Sequence, residues 1–337
     1  MASRLPKEAG RIGLGYALTP KGGVHSEFTI LREGEMLGGR LEAEDDGLSG
    51  SESFYLTSAA ALHNIDHDWL RRHMPRDHAG AGDDRVTLTD LTNSMGVLVV
   101  AGPKARDLMQ RVSPGFAFAN ADFPWLTAQW IEVGLAPVLA LRVNFVGELG
   151  WELHHPIEYQ NHIFDCLMRE GEGLGLKPFG MRAMDAMRLE KSYGIMGHEL
   201  SHEYAALECG VGRFIAMAGG NDKSDFIGKE GLLAWQKRGL SRQLVTLRVA
   251  AEATAAGKIA KADASMGNPI YHKGKMVGRV TSGNYGFRVG MSLAMGMVAG
   301  AVAKLGAALE VEILGKRVAA EVIESSPWDK DNARLRG

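Results

Sequence analysis

Between Val146 and Leu153 the chain reads Val-Gly-Glu-Leu-Gly-Trp-Glu-Leu, a β-prone run broken by glycines, with Glu148 and Glu152 on either side of the second break. Further along, Gly180 to Lys191 reads Gly-Met-Arg-Ala-Met-Asp-Ala-Met-Arg-Leu-Glu-Lys, a helix carrying several charges. Side chains alternate between the two faces of a strand and recur along one face of a helix. A glycine-broken strand followed by a charged helix therefore constrains this part of the chain to a sheet with helices packed on it.

The surrounding sequence extends that pattern. Met95 to Ala101 reads as an apolar strand, Gly102-Pro103 as a turn, and Lys104 to Val112 as a helix; Val138 to Phe145 reads as a further strand. Pro156 to Gly171 and Met181 to Tyr193 have amphipathic helical spacing. These units suggest α+β layers rather than a doubly wound sheet. Upstream, the double glycine Gly22-Gly23 predicts a turn before a strand over Val24 to Leu31, because glycine reaches positive φ without steric cost. Glu33 to Ser51 reads as a loop or hairpin, Phe54 to Thr57 as a strand, and Ala59 to His73 as a helix that Ser58 could cap. Gly10 to Gly15 has the wrong glycine spacing for dinucleotide binding and reads as a turn. Past Leu244 the pattern changes to short strands with glycine turns, including a hairpin signal at Lys273-Gly274, after a low-complexity Ala/Lys stretch over Ala250 to Ala264. The expected architecture is α+β throughout, divided at 1–85, 86–244 and 245–337, the last an antiparallel β-barrel.

Bulk properties narrow the function classes. The chain has 337 residues, 45% hydrophobic and 23% charged, with a net charge of -2. No global field draws it to nucleic acid or to an anionic membrane, and no apolar run reaches membrane-spanning length. Cys166 and Cys209 lack metal-ligand spacing and suit a reducing compartment, so a cytoplasmic setting is expected. His63 and His67 stand four apart beside Asp66 and Asp68, but no His-Glu-x-x-His pattern occurs and no metal site is expected.

Several of these motifs, taken together and in order, resemble the glycine cleavage T-protein family, and more closely the T-protein-like part of dimethylglycine and sarcosine dehydrogenases. Thr19-Pro20-Lys21-Gly22-Gly23 resembles the family's double-glycine turn, with threonine for asparagine. Asn144-Phe145-Val146-Gly147-Glu148 is similar to its Gly-Tyr-Thr-Gly-Glu motif. Gly278 to Gly286 and Ser326 to Arg336 resemble its barrel signature and the ending of the amine dehydrogenases. The resemblance implies ferredoxin-like α/β layers, the first incomplete, plus a C-terminal antiparallel barrel. It also implies a tetrahydrofolate-dependent one-carbon transferase producing methylene-tetrahydrofolate. The other readings compatible with it are a folate-dependent O- or S-demethylase and a non-catalytic folate-binding subunit or truncated T-protein. On this reading Phe145 flanks the pterin, Glu152 grips its amide and amino edge, and Tyr55 also binds folate. Asp66 is the catalytic carboxylate, with Asp68 as the other placement. The family's arginine near the folate falls on Met184, leaving Arg182 as the candidate cation. Arg188, Glu190 and Lys191 are expected to form a partly buried charge network beside the pocket. The implied partners are a small methylated amine or aminomethyl donor and a flavoprotein or lipoyl-protein, with no nucleic acid and no membrane.

Overall fold

The computed structural model describes residues 1–34, 52–75, 86–217, 225–250 and 262–337. Most of the expected loop at 33–51 and of the Ala/Lys stretch at 250–264 lies outside them. Three strands form the first sheet, β1 (Ile12–Leu18), β2 (Val24–Arg32) and β3 (Phe54–Thr57), antiparallel in that order. The Gly10–Gly15 turn is thus corrected: most of it belongs to β1. Alternation places Ile12, Leu14 and Tyr16 on one face, and the bare Gly15 lets Ile30 pack where a Cβ would clash. Gly22 and Gly23 close the β1–β2 turn as expected. Gly22 has φ +85°, and a Cβ on Gly23 would strike the His202 backbone.

Alternation along β2 gives the first sheet two different faces. Val24, Ser26, Phe28 and Ile30 share one face with Ala17, and α1 (His63–Arg72) covers it through Trp69 and Leu70. Glu27 and Leu31 point the other way. Leu31 pairs with both Ile12 and Tyr55, and these three pack against Ala128, Leu139 and Leu141 of the second sheet. A short 3-10 turn over Ala60–Leu62 precedes α1, without side-chain capping. The Ser58 hydroxyl, expected as a cap, donates instead to Asp66 Oδ2 at 2.6 Å.

The second sheet contains β4 (Met95–Ala101), β5 (Ala128–Val133), β6 (Ala136–Leu141) and β7 (Gly150–Pro156) in the order β4-β7-β6-β5, all antiparallel. Helices α2 (Ala105–Val112) and α3 (Gln160–Gly171) cover its outer face around Trp151, Leu153, Ile163 and Met109. The expected strand over Val138 to Phe145 ends early, at Leu141. Asn144 accounts for the break: its Oδ1 accepts from the backbone N–H groups of Val146 and Gly147, both at 3.0 Å, and its Nδ2 donates to the Glu148 carbonyl. Such a side-chain turn competes with the strand ladder. Helix α4 (Met181–Glu190) likewise stops before Tyr193, because Ser192 turns left-handed at φ 54°.

Helix α5 (Lys229–Arg238) leads to six antiparallel strands that close a barrel. They are β8 (Arg242–Val249), β9 (Pro269–His272), β10 (Lys275–Gly286), β11 (Met291–Ala299), β12 (Ala308–Ile313) and β13 (Lys316–Ile323), ordered β10-β11-β8-β13-β12-β9. Leu247, Ile270, Val280, Val298 and Val311 fill it. Lys273 and Gly274 both have positive φ, 49° and 75°, the geometry of a two-residue hairpin turn. The α+β class and the C-terminal barrel are as the sequence suggests; β11 and β13 are additional strands.

Candidate functional site

The two sheets meet face to face. At one end the contact is the apolar cluster around Leu31, Leu139 and Leu141. Alongside it, polar side chains project from both sheets into the space between them. From β7 come Glu152 and His154, on the face opposite Trp151 and Leu153. The His154 Nε2 lies 3.3 Å from Glu152 Oε2, and its Nδ1 lies 3.1 Å from the Tyr55 hydroxyl. His154 is buried, whereas the Glu152 side chain keeps 22% exposure. Burial pushes the Tyr55 phenol up to about 12, with the charges of Glu33 and Glu152 adding to the effect. Tyr55 and Glu152, named from sequence for the same role, are therefore brought together, but through His154.

From the first sheet comes Glu27, which the sequence reading missed. It lies on the face of β2 that looks toward the second sheet and accepts the Tyr16 hydroxyl at 2.5 Å. Burial raises its carboxyl to about 6, although the Tyr16 hydrogen bond acts in the opposite direction. Glu27 nevertheless keeps partial solvent access. A largely buried carboxylate that keeps some solvent access and titrates near neutrality is a candidate proton carrier. Arg213 is close enough to Tyr16 and to Tyr193 for its charge to oppose the burial-driven rise of both phenols. Tyr193 in turn packs on Phe145, ring centroids 5.7 Å apart. The Glu27–Tyr16 pair and the Tyr193–Phe145 pair thus both lie within reach of the charge of Arg213, which is itself exposed. The signal available in the sequence was Glu27 itself, four residues past the double-glycine turn.

Asp66 lies elsewhere. It is 3% exposed, and its two oxygens accept the hydroxyls of Ser26, at 2.5 Å, and Ser58, at 2.6 Å. Ser26 also bonds His25 Nδ1 at 2.7 Å, and the His25 ring stacks on His202. Burial, followed by the neighbouring His202, lowers the His25 pKa. Since Ser26 belongs to the face of β2 that α1 covers, the sheet itself stands between Asp66 and the inter-sheet space. Asp68, the other placement, is exposed and paired with Arg72 at 2.8 Å. Asp66→Asn is expected to lower stability by about 1 kcal/mol, since the amide oxygen still accepts one serine hydroxyl while its NH2 group can donate to the oxygen of the other. Turnover should change by less than about tenfold. Melting curves and initial rates check both.

Arg182 occupies the exposed first turn of α4 and makes no hydrogen bond or ion pair among the described residues. The charges at the other end of this helix are buried and paired. Arg188 donates to Asp185, to the Tyr193 carbonyl, to Glu199 and to Ser282 of the barrel. Glu190 accepts from the side chain and backbone of Arg288, which also reaches the Val146 carbonyl at 2.9 Å and Glu148 at 3.0 Å. Lys191 donates to the Asp329 carbonyl and to Asn332 Oδ1, and its stem packs where a Gly147 Cβ would sit. The expected charge network exists. It clamps the Asn144–Leu149 loop, and with it Phe145, between α4, the barrel and the C-terminal segment.

Both parts of the chain match family models: residues 1–219 match the GCVT N-terminal domain, and residues 242–329 match the glycine cleavage T-protein C-terminal barrel domain. Human mitochondrial dimethylglycine dehydrogenase is 32% identical over 324 residues, covering 96% of this chain and 33% of the relative. Mouse mitochondrial sarcosine dehydrogenase is 29% identical, covering 95% and 33%. The chain thus spans about a third of the length of these dehydrogenases. An aminomethyltransferase of Desulfitobacterium hafniense is 28% identical over 81% of this chain and 69% of its own length. The crystal structure of the glycine cleavage system aminomethyltransferase T from Bartonella henselae shares the fold, with a TM-score of 0.75 at 19% identity, covering 96% of this chain and 77% of that one. With the N-terminal and barrel regions both matched, this chain belongs to the glycine cleavage T-protein family.

Proposed function

We propose that this chain binds a reduced folate between its first two sheets and transfers a one-carbon unit to it. The observation that carries the reading is a pair of carboxylates on facing sheet surfaces: Glu27 lies on the face of β2, and Glu152 on the face of β7, that is turned toward the opposite sheet. A pterin fits them by chemistry: its amide N–H and amino group form a paired donor edge that a carboxylate accepts at two oxygens. Glu152 remains partly open for that edge. Phe145, braced by Tyr193, supplies an aromatic wall. Tetrahydrofolate, when bound, supplies the nucleophilic nitrogens that capture the carbon.

Glu27 is the group proposed to move the proton. Condensing formaldehyde with two folate amines releases water and involves no net oxidation. A carboxylate poised near pH 6 can take the proton from the attacking amine and return it to the departing oxygen. As an anion it also stabilises the cationic iminium that precedes ring closure. Asp66 contributes at one remove, by holding Ser26 and His25 beside the double-glycine turn. Arg182 is proposed to act from the rim, as an exposed cation available to the anionic tail of the folate.

The names of the dehydrogenase relatives point to N-methyl amines as the source of the carbon. Those of the aminomethyltransferases point to an aminomethyl carrier. A small methylated amine oxidised on a flavoprotein, or an aminomethyl group delivered on a lipoyl-protein, is accordingly the proposed donor. Among the described residues no helix is long and apolar enough to cross a membrane. Both cysteines are free and buried, which suits a reducing compartment such as the cytoplasm. Isothermal titration of the protein with tetrahydrofolate under reductant tests the reading. Saturable binding at one site is expected, and no detectable heat at any accessible concentration would end it.

A further inference from the structure

The geometry points to Tyr55 and His154 as positioning residues: a Tyr55–His154–Glu152 relay that aims the Glu152 carboxylate at its ligand. The proposal deepens the folate reading and rests on the assignment of Glu152 made there.

Three side chains from the facing sheets make the relay. Tyr55 stands on β3, one strand away from Glu27 on β2, and reaches across the interface to His154 on β7. The two rings meet edge to face, centroids 5.5 Å apart and planes at 85°. Their hydrogen bonds have a definite sense. A buried phenol holds its proton, so Tyr55 donates and His154 Nδ1 accepts. An imidazole that accepts at Nδ1 and is neutral carries its proton on Nε2. That proton faces Glu152 Oε2. The tautomer is thus assigned by the tyrosine, and the donor to the glutamate is set by the tautomer.

The consequence lies in which part of Glu152 stays free. His154 is 1% exposed. It engages Oε2 of Glu152, and among the described residues Oε1 accepts no hydrogen bond, while the side chain stays 22% exposed. Without that contact, a glutamate on a half-open strand samples several rotamers, and a ligand must select one of them. Orienting partners of this kind act on affinity through preorganisation rather than by touching the ligand. Tyr55 then contributes to folate binding without its hydroxyl contacting folate.

Tetrahydrofolate affinity measured on four proteins tests this: wild type, Tyr55→Phe, Glu152→Gln and the double variant. Tyr55→Phe keeps the ring and its packing, and melting curves confirm that it folds. We expect it to weaken binding about three- to tenfold, the scale of one neutral hydrogen bond. In the Glu152→Gln background the same change should cost nothing more, because the group it aims is gone. A purely structural role for Tyr55 would give equal losses in both backgrounds, and that result overturns the relay. So does an unchanged affinity in Tyr55→Phe when Glu152→Gln binds weakly. If Glu152→Gln binds as tightly as wild type, the assignment of Glu152 fails, and the relay falls with it. His154→Gln gives a second route to the same answer: its loss too should vanish in the Glu152→Gln background.

Discussion

Replacing Glu27 by glutamine is expected to reduce turnover by about 10²-fold, the usual contribution of a positioned acid–base group. The measurement is tetrahydrofolate-dependent condensation of formaldehyde, corrected for the spontaneous reaction. Folate affinity should change much less, because the proton moves only as the reaction proceeds. Two pH signatures separate this from general damage. In the wild type the rate should rise with pH through about 6, where Glu27 becomes able to accept a proton, and then level off. In Glu27→Gln that limb should disappear. Stability should respond in the opposite sense. Burial raises the folded-state pKa from the ordinary 4.5 to about 6, so the native protein holds this proton more tightly than the unfolded chain. The linked stability is complete below about 4.5 and is lost as pH rises through about 6. Glu27→Gln removes that loss, so above pH 6 the variant should melt no lower than wild type. A slow enzyme with undiminished stability identifies a functional group held at a cost to the fold. An active Glu27→Gln enzyme would remove the proton-transfer role from Glu27.

Glu152→Gln is expected to weaken tetrahydrofolate binding by roughly 1.5–3 kcal/mol, about ten- to a hundredfold. The amide keeps the shape of the side chain but replaces one acceptor with a donor. It therefore meets the paired donor edge of a pterin with one matched and one opposed contact. Titration calorimetry reads the loss directly. The cost should fall on binding, with turnover at saturating folate largely preserved, which is the reverse of the Glu27→Gln pattern. Unchanged affinity would remove Glu152 from the site.

Much of this protein was legible in the order of its residues. The period-two strands, the helical spacing of Pro156 to Gly171, the double glycine at Gly22-Gly23 and the hairpin at Lys273-Gly274 are local signals, set by backbone sterics and by side-chain periodicity. They determined the α+β class and the barrel without reference to distant contacts. Glu152 was named from the family resemblance; alternation along β7 then places it on the face opposite Trp151. What the sequence could not determine was which face of the first sheet meets the second. Ser26 and Glu27 are neighbours in the chain and point to opposite sides of β2, and only the packing of α1 on one side and of the second sheet on the other decides which of them faces the interior. That decision places Asp66 behind the sheet, locked by two serines, and makes Glu27 the carboxylate on the inside. The strand end at Leu141 is local instead: Asn144 turns the chain by accepting from the backbone of Val146 and Gly147. The partners of Arg188, Glu190 and Lys191 are tertiary in the same sense as the choice of face. The sequence led to a partly buried network among these charges, but not to Arg288 and the C-terminal segment as the elements that fold over them. Periodicity is a property of near neighbours in the chain; the desolvation and pairing of a charge depend on whatever the fold brings next to it.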